Sequence, residues 1–215
     1  MNILAFDSSC EALSVCVVSS AGDRAIRVLP GLRQAESLLP GISGCLDELS
    51  MGIGDIGLIG CAIGPGSFMG LRVGLATAKG LSLGTGAPWV GVPTLDAAAK
   101  PYAGLDGLVI PLLDARKKRL YAAVYRGGRR ESEYLDIGIG DLLALLYGED
   151  RVSFVGSGAE ALADLSQERA GWAVVADEPG ERAVAVAELA REILEREGPS
   201  PADAGPLYLR EPNIG

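Results

Sequence analysis

Apolar and polar positions first follow a strand-like order along this chain. Residues 2–6 form a short, mostly apolar run that ends in Asp7-Ser8-Ser9, residues 13–18 form a second, and Arg24-Ala25-Ile26-Arg27-Val28-Leu29 alternates residue by residue, as a half-buried strand does. The period then changes. Leu32, Ala35, Leu38, Leu39, Ile42, Cys45, Leu46 and Leu49 recur every three or four positions and predict a helix, with Pro40 as either a late start or a kink. A strand over 58–63, a glycine corner, a helix over 67–83 and a strand over 89–92 complete a β-β-β-α-β-α-β order, which is not that of a doubly wound, all-parallel sheet.

The pattern restarts after Ala103-Gly104-Leu105-Asp106-Gly107. Strands are predicted over 108–113, 120–125 and 133–136, with a turn at Gly127-Gly128, followed by a helix over 141–147. Strand 152–155, helix 159–165, strand 172–175 and helix 181–197 follow, and a Gly- and Pro-rich stretch leads to Leu207-Tyr208-Leu209-Arg210. Two α/β lobes are expected, over residues 1–100 and 101–215, with the apolar C-terminal segment packing back on one of them.

The corner Gly64-Pro65-Gly66-Ser67-Phe68-Met69-Gly70 joins a strand to a helix, with Ser67 placed to cap. Two readings fit it: a phosphate cradle at a helix N-terminus, or a strand-to-helix joint that needs glycine and a cap and holds no ligand. The spacing lacks the Gly-Lys-Ser/Thr of a Walker loop, and strand 89–92 carries no acidic residue at its end for a dinucleotide ribose. The chain contains no histidine, which removes Ser-His-Asp and Cys-His catalysis and imidazole metal ligands. Cys10, Cys16, Cys45 and Cys61 show no C-x-x-C spacing and read as buried reduced thiols. Apolar runs are short and Met1-Asn2-Ile3-Leu4 enters a strand directly, so neither a membrane span nor a signal peptide is expected, and the protein reads as cytoplasmic. A net charge of −9 opposes unaided binding to RNA; the local exception is the basic series Arg116-Lys117-Lys118-Arg119 with Arg126, Arg129 and Arg130.

Phe6-Asp7-Ser8-Ser9, its counterpart Leu113-Asp114-Ala115-Arg116, and Phe154-Val155-Gly156-Ser157-Gly158-Ala159 resemble the duplicated actin-like ATPase and sugar-kinase architecture. Adding Glu36-Ser37-Leu38-Leu39-Pro40, the corner from Gly64 to Gly74, Ala78-Lys79-Gly80-Leu81 and Leu207-Tyr208-Leu209-Arg210, the series resembles the bacterial TsaB (YeaZ) family over nearly the whole chain. The resemblance implies an α/β protein of two actin-like ATPase (ribonuclease H-like) lobes with mixed sheets. It also implies a non-catalytic subunit that pairs with the transferase TsaD and works with the ATPase TsaE to place threonylcarbamoyl on the adenosine after the tRNA anticodon. Contact with TsaD would run through the N-terminal lobe, tRNA would be met through the partner, and the chain alone would form a homodimer. Where relatives carry a histidine before the Ser-Glu of the first helix, this chain reads Arg33-Gln34-Ala35-Glu36, so no metal is expected. In the wider superfamily the two hairpins face nucleotide phosphates, which makes Asp7, Ser8, Gly64, Gly66 and Ser67 a vestigial anion site. Ser8-Ser9-Cys10 and Ala115-Arg116 stand where glycines would let phosphate approach, so no cofactor is expected and nucleotide binding is weak or lost. The second reading is a small magnesium-ATP-dependent phosphotransferase of the same fold, with Asp7 or Asp114 as metal ligand or base.

The residues of the second helix bear on the partner independently. Phe68, Leu71, Leu75, Ala78 and Ser82 form one stripe, and Met69, Val73, Ala76, Gly80 and Leu83 a second on another side. A surface helix needs one apolar stripe, and two imply burial from two directions. The expected partner face is Leu39, Ile42 and Leu46 of the first helix with Met69, Arg72, Val73, Ala76, Lys79 and Leu83 of the second.

Overall fold

The structure is a computed structural model that describes residues 1–30 and 33–210, so Leu32 of the first helical pattern lies outside the described residues. The chain divides into two compact units, Met1–Ala97 with Pro179–Leu207, and Ala98–Glu178 with Tyr208–Gly215.

In the first unit β1 (Ile3–Asp7), β2 (Leu13–Val18), β3 (Arg24–Leu29), β4 (Leu58–Gly64) and β5 (Trp89–Pro93) form a mixed sheet in the order β3-β2-β1-β4-β5. β1 runs antiparallel to β2 and parallel to β4, with Phe6 beside both Val15 and Cys61. Helices α1 (Gln34–Glu48) and α2 (Phe68–Thr85) cover one face, where Leu4, Phe6, Leu13 and Val15 meet Leu38, Ile42, Leu46 and Leu75. The short α3 (Thr94–Ala99), which periodicity did not reveal, follows β5 directly. Pro40 neither delays nor ends α1, which is helical through it.

Every residue of β1 is buried, so this strand has no solvent face and its second side needs its own cover. α6 (Pro179–Glu197) supplies it by laying Ala185, Val186, Ala187 and Ala190 against Ile3, Ala5, Leu58 and Val90. A Cβ on Gly60 would come within 2.9 Å of Ala190, which shows how closely α6 approaches β4. The break near residue 100 agrees with the expected boundary, but the extent of the second lobe, expected over 101–215, needs a correction. The last long helix packs in the first unit, because the small residues on its inner face fit a sheet that otherwise keeps one apolar side open.

The second unit holds β6 (Leu108–Asp114), β7 (Arg119–Ala122), β8 (Tyr125–Arg126), β9 (Arg129–Arg130), β10 (Leu135–Gly138), α4 (Ile139–Leu145), β11 (Val152–Val155), α5 (Ala163–Gln167) and β12 (Trp172–Val174). Its main sheet runs β10-β7-β6-β11-β12, and the β8-β9 hairpin pairs with the start of β6. The strand expected over 120–125 is thus two strands: β7 opposes Leu112–Asp114 while β8 opposes Leu108 and Val109. A 3-10 turn at Ala159–Leu162 opens the segment that was expected to be one helix over 159–165. Leu108, Ile110, Leu112, Phe154, Leu142 and Trp172 fill the core of this unit.

Candidate functional site

The residues expected to cradle an anion meet one another instead. Asp7 ends β1 with no exposed surface, and Ser8 and Ser9 beyond it are equally buried. Oδ1 of Asp7 accepts from the Ser9 amide at 2.8 Å and the Ser9 hydroxyl at 2.5 Å, while Oδ2 accepts from Nε of Arg182 on α6 at 3.0 Å. In the glycine corner, Ser67 caps α2 by accepting from the Gly70 amide, and its own amide donates to the Ser9 carbonyl at 2.6 Å. The Ser8 hydroxyl donates to the Gly70 carbonyl at 2.8 Å. A Cβ on Gly66 would sit 2.5 Å from the Ser9 carbonyl oxygen, and one on Gly70 would overlap that of Ser8. Gly64 lies at φ +117°, where a side chain would strike the Leu207 carbonyl. The glycines therefore let the first hairpin turn seat against the start of α2, and the Ser67 amide that would face an anion is already used. As arranged, Asp7 offers no exposed oxygen to a hydrated magnesium ion.

Helix α2 divides its two stripes cleanly. Leu71, Gly74, Leu75 and Ala78 are buried on the sheet. Met69, Arg72, Ala76, Gly80 and Leu83 are exposed, Met69 by 66% and Leu83 by 90%, and they fall on one side of the helix at spacings of three and four. Leu39 of α1 is 56% exposed. Ile42 and Leu46 do not join this face: they are buried beneath α1, whose own core stripe is Leu38, Ile42, Cys45 and Leu46. Val73 is half-buried against the same core, so it borders the open face without belonging fully to it. Arg72 lies over the Phe68 ring at 3.7 Å and Lys79 near the Trp89 ring at 5.6 Å, and at a spacing of seven residues both stand on one edge of the face, which carries positive charge close to apolar surface. All four cysteines are free and buried. Burial pushes the Cys16 thiol up to about 12 and that of Cys45 up to about 11, and it raises Cys61 further with help from the Asp7 carboxylate.

Residues 32–197 match the family model described as TsaD: tRNA N6-adenosine threonylcarbamoyltransferase. The chain is 31% identical to the tRNA threonylcarbamoyladenosine biosynthesis protein TsaB of Bacillus subtilis, over 73% of this chain and 71% of that protein. This chain belongs to the TsaB (YeaZ) family. The corresponding protein of Escherichia coli is 34% identical over 59% of this chain, and the match spans about half of that relative's length, 55%. Among solved structures, YeaZ from Pseudomonas aeruginosa superposes with a TM-score of 0.75 at 23% identity, covering 97% of this chain and 99% of that one. The inorganic polyphosphate/ATP-glucomannokinase of Arthrobacter superposes at 0.54 with 14% identity, covering 89% of this chain and 98% of that one. The fold is thus that of the actin-like sugar kinases, and TsaB kinship is carried by the sequence matches.

In this TsaB-family chain the second hairpin also differs from a phosphate loop. Asp114 is exposed and its Oδ1 accepts from the Arg116 amide at 2.7 Å, capping the turn. Asp136 on β10, not singled out by the sequence reading, holds two cations: Arg119 Nε at 2.6 Å and Arg210 Nε at 2.7 Å. Burial works to raise the Asp136 carboxyl, but the hydrogen bonds and charges of Arg119 and Arg210 outweigh it and hold it below the usual carboxylate range. Arg182 was missed as well. Its signal lies in the helical period, since it stands three and four positions before Ala185 and Val186, on the stripe that α6 buries.

Proposed function

We propose that this protein is a non-catalytic subunit that dimerises with a TsaD-type transferase and supports transfer of threonylcarbamoyl to the adenosine after the tRNA anticodon. The observation that carries the reading is the open side of α2, where Met69, Ala76 and Leu83 stand exposed on a helix whose other stripe already fills the core. An apolar stripe with small residues at its centre suits close packing of a partner helix, and family membership supplies a partner of related fold. The buried pair of Asp7 and Arg182 supports a role without phosphotransfer, because a superfamily kinase needs that carboxylate for magnesium. Nucleotide binding is accordingly weak or lost, a TsaE-type ATPase joins the assembly, the chain alone pairs with itself through the same face, and the setting is the cytoplasm.

The test is reconstitution with the transferase from the same organism, assaying threonylcarbamoyl transfer to tRNA with and without this chain. Transfer that requires the chain, while the isolated folded chain binds no magnesium-ATP, supports the reading. Transfer that proceeds equally without it, together with magnesium-ATP binding by the isolated chain, overturns it.

A further inference from the structure

The basic series of the second unit separates in three dimensions into two clusters of unlike character. Arg126, Arg129 and Arg130 lie on the β8-β9 hairpin at the start of β6, and Arg126 is met there by Glu149 at 3.1 Å and Glu131 at 3.4 Å. Arg116, Lys117 and Lys118 form the turn after the end of β6, about 20 Å away at the rise of a β-strand. In this second cluster the two lysines keep their charge. Asp114 approaches Arg116 at 3.8 Å, but among the described residues no carboxylate pairs with Lys117 or Lys118, and both are exposed. Arg210 extends the cluster, its Nη1 donating to the Ala115 carbonyl at 3.4 Å, and with Arg119 it shares Asp136. Lys117 and Lys118 thus carry their charge unpaired among the described residues, in a chain of net charge −9.

The backbone of this turn is held in an uncommon form. Arg116, Lys117 and Lys118 sit at φ +63°, +54° and +60°, three consecutive side-chain-bearing residues in the left-handed region that glycine favours. The turn is fixed by the Ala115 amide donating to the Arg119 carbonyl at 3.0 Å, the Arg119 amide donating to Arg116 at 3.1 Å, and the Asp114 cap. Glycine or asparagine would serve such a turn at lower conformational cost, so the positions carry long cations for a reason other than the turn itself.

We propose that the turn of Arg116, Lys117 and Lys118 is a docking site for the phosphodiester backbone of RNA, engaged when the chain sits in its complex with the transferase. The inference rests on the function proposed above, which brings tRNA to the complex. Two exposed lysines on a turn with no exposed aromatic or large apolar residue match phosphates better than a protein surface, whose interface cores favour aromatics and exclude lysine. The net charge explains why the site would act only within an assembly: long-range repulsion by the whole chain opposes RNA until the partner offsets it.

The experiment uses the full chain in complex with its transferase and an unmodified tRNA transcript, with affinity measured across a series of salt concentrations. The double change Lys117→Asn with Lys118→Asn removes two charges and keeps residue types that tolerate the left-handed turn. It should lower tRNA affinity about tenfold at low salt and reduce the salt slope by about 1.5, roughly 0.7–0.9 for each phosphate released. Lys117→Arg with Lys118→Arg should retain both affinity and slope. Unchanged affinity and slope for the asparagine variant in an intact complex overturns the proposal, as does loss of the protein complex itself, which would assign the turn to a protein partner. If the unaltered chain forms no complex with the transferase, chromatography shows this before RNA is added, and the functional reading falls along with the proposal built on it.

Discussion

At the scale of single residues, the glycines of α2 illustrate how environment overrides intrinsic preference. Glycine to alanine inside a helix ordinarily stabilises by about 1 kcal/mol. At Gly80 nothing lies within 4 Å of the added methyl, so Gly80→Ala should raise the unfolding free energy by about 0.5–1 kcal/mol in a urea titration. At Gly70 the same methyl would overlap the Ser8 carbonyl oxygen, and the close fit of the first turn would have to open. Gly70→Ala should therefore destabilise, by about 2 kcal/mol or more, opposite in sign to its neighbour in the helix. The pair of Arg182 and Asp7 is subject to a second such asymmetry. Both side chains are nearly or wholly inaccessible, and removing one partner strands a buried charge, so Arg182→Ala should cost about 3–5 kcal/mol by the same measurement. Asp136 sets a pH dependence. Its carboxyl titrates lower in the folded chain than in the unfolded one, so its contribution is present above the unfolded value of about 3.9 and is lost as pH falls through the folded value. Stability measured against pH should show a shallower acid limb in Asp136→Asn than in the parent.

At the scale of elements, periodicity placed β2 and β3 at their observed bounds and found the order of the first seven elements. These segments carry their signal locally, in alternation for β3 and in three- and four-residue spacing for α1 and α2. What local pattern could not carry was the assignment of α6. Its packing is set by the second face of β1 and β4, more than a hundred residues away in sequence, and the clue was the absence of any polar position in Ile3-Leu4-Ala5-Phe6. The exposed side of α2 was legible in part for the same reason. The two stripes of α2 were separable because one helix shows both, whereas Ile42 and Leu46 lie on the stripe α1 turns to the core, and no spacing within α1 distinguishes an inward leucine from an outward one. In the glycine corner, the sequence announced the glycines but not what approaches them. The Ser8 and Ser9 carbonyls that fill the space come from another segment of the chain. The thiols offer a check on element packing. Cys16, Cys45 and Cys61, with their thiols raised by burial in the strands and α1, should be unreactive toward a thiol reagent at pH 8 and become reactive on denaturation.

At the scale of the whole molecule, the chain combines the actin-like fold with features that suit support of a partner. Its hairpin carboxylate Asp7 is tied to Arg182, its glycine corner receives its own first turn, and one side of α2 keeps apolar residues exposed. The central claim is that this side of α2 is the surface that binds a TsaD-type transferase. It is tested most directly by light-scattering chromatography of the chain mixed with that transferase, comparing the parent with Ala76→Glu. Ala76 is exposed at the middle of the open stripe, so the charge is tolerated in the free chain and is buried without a counter-charge only in the complex. The account predicts a heterodimer for the parent and two separate, folded proteins for the variant, with the unfolding midpoint of the variant alone unchanged. A folded Ala76→Glu chain that co-elutes with the transferase as the parent does would contradict it.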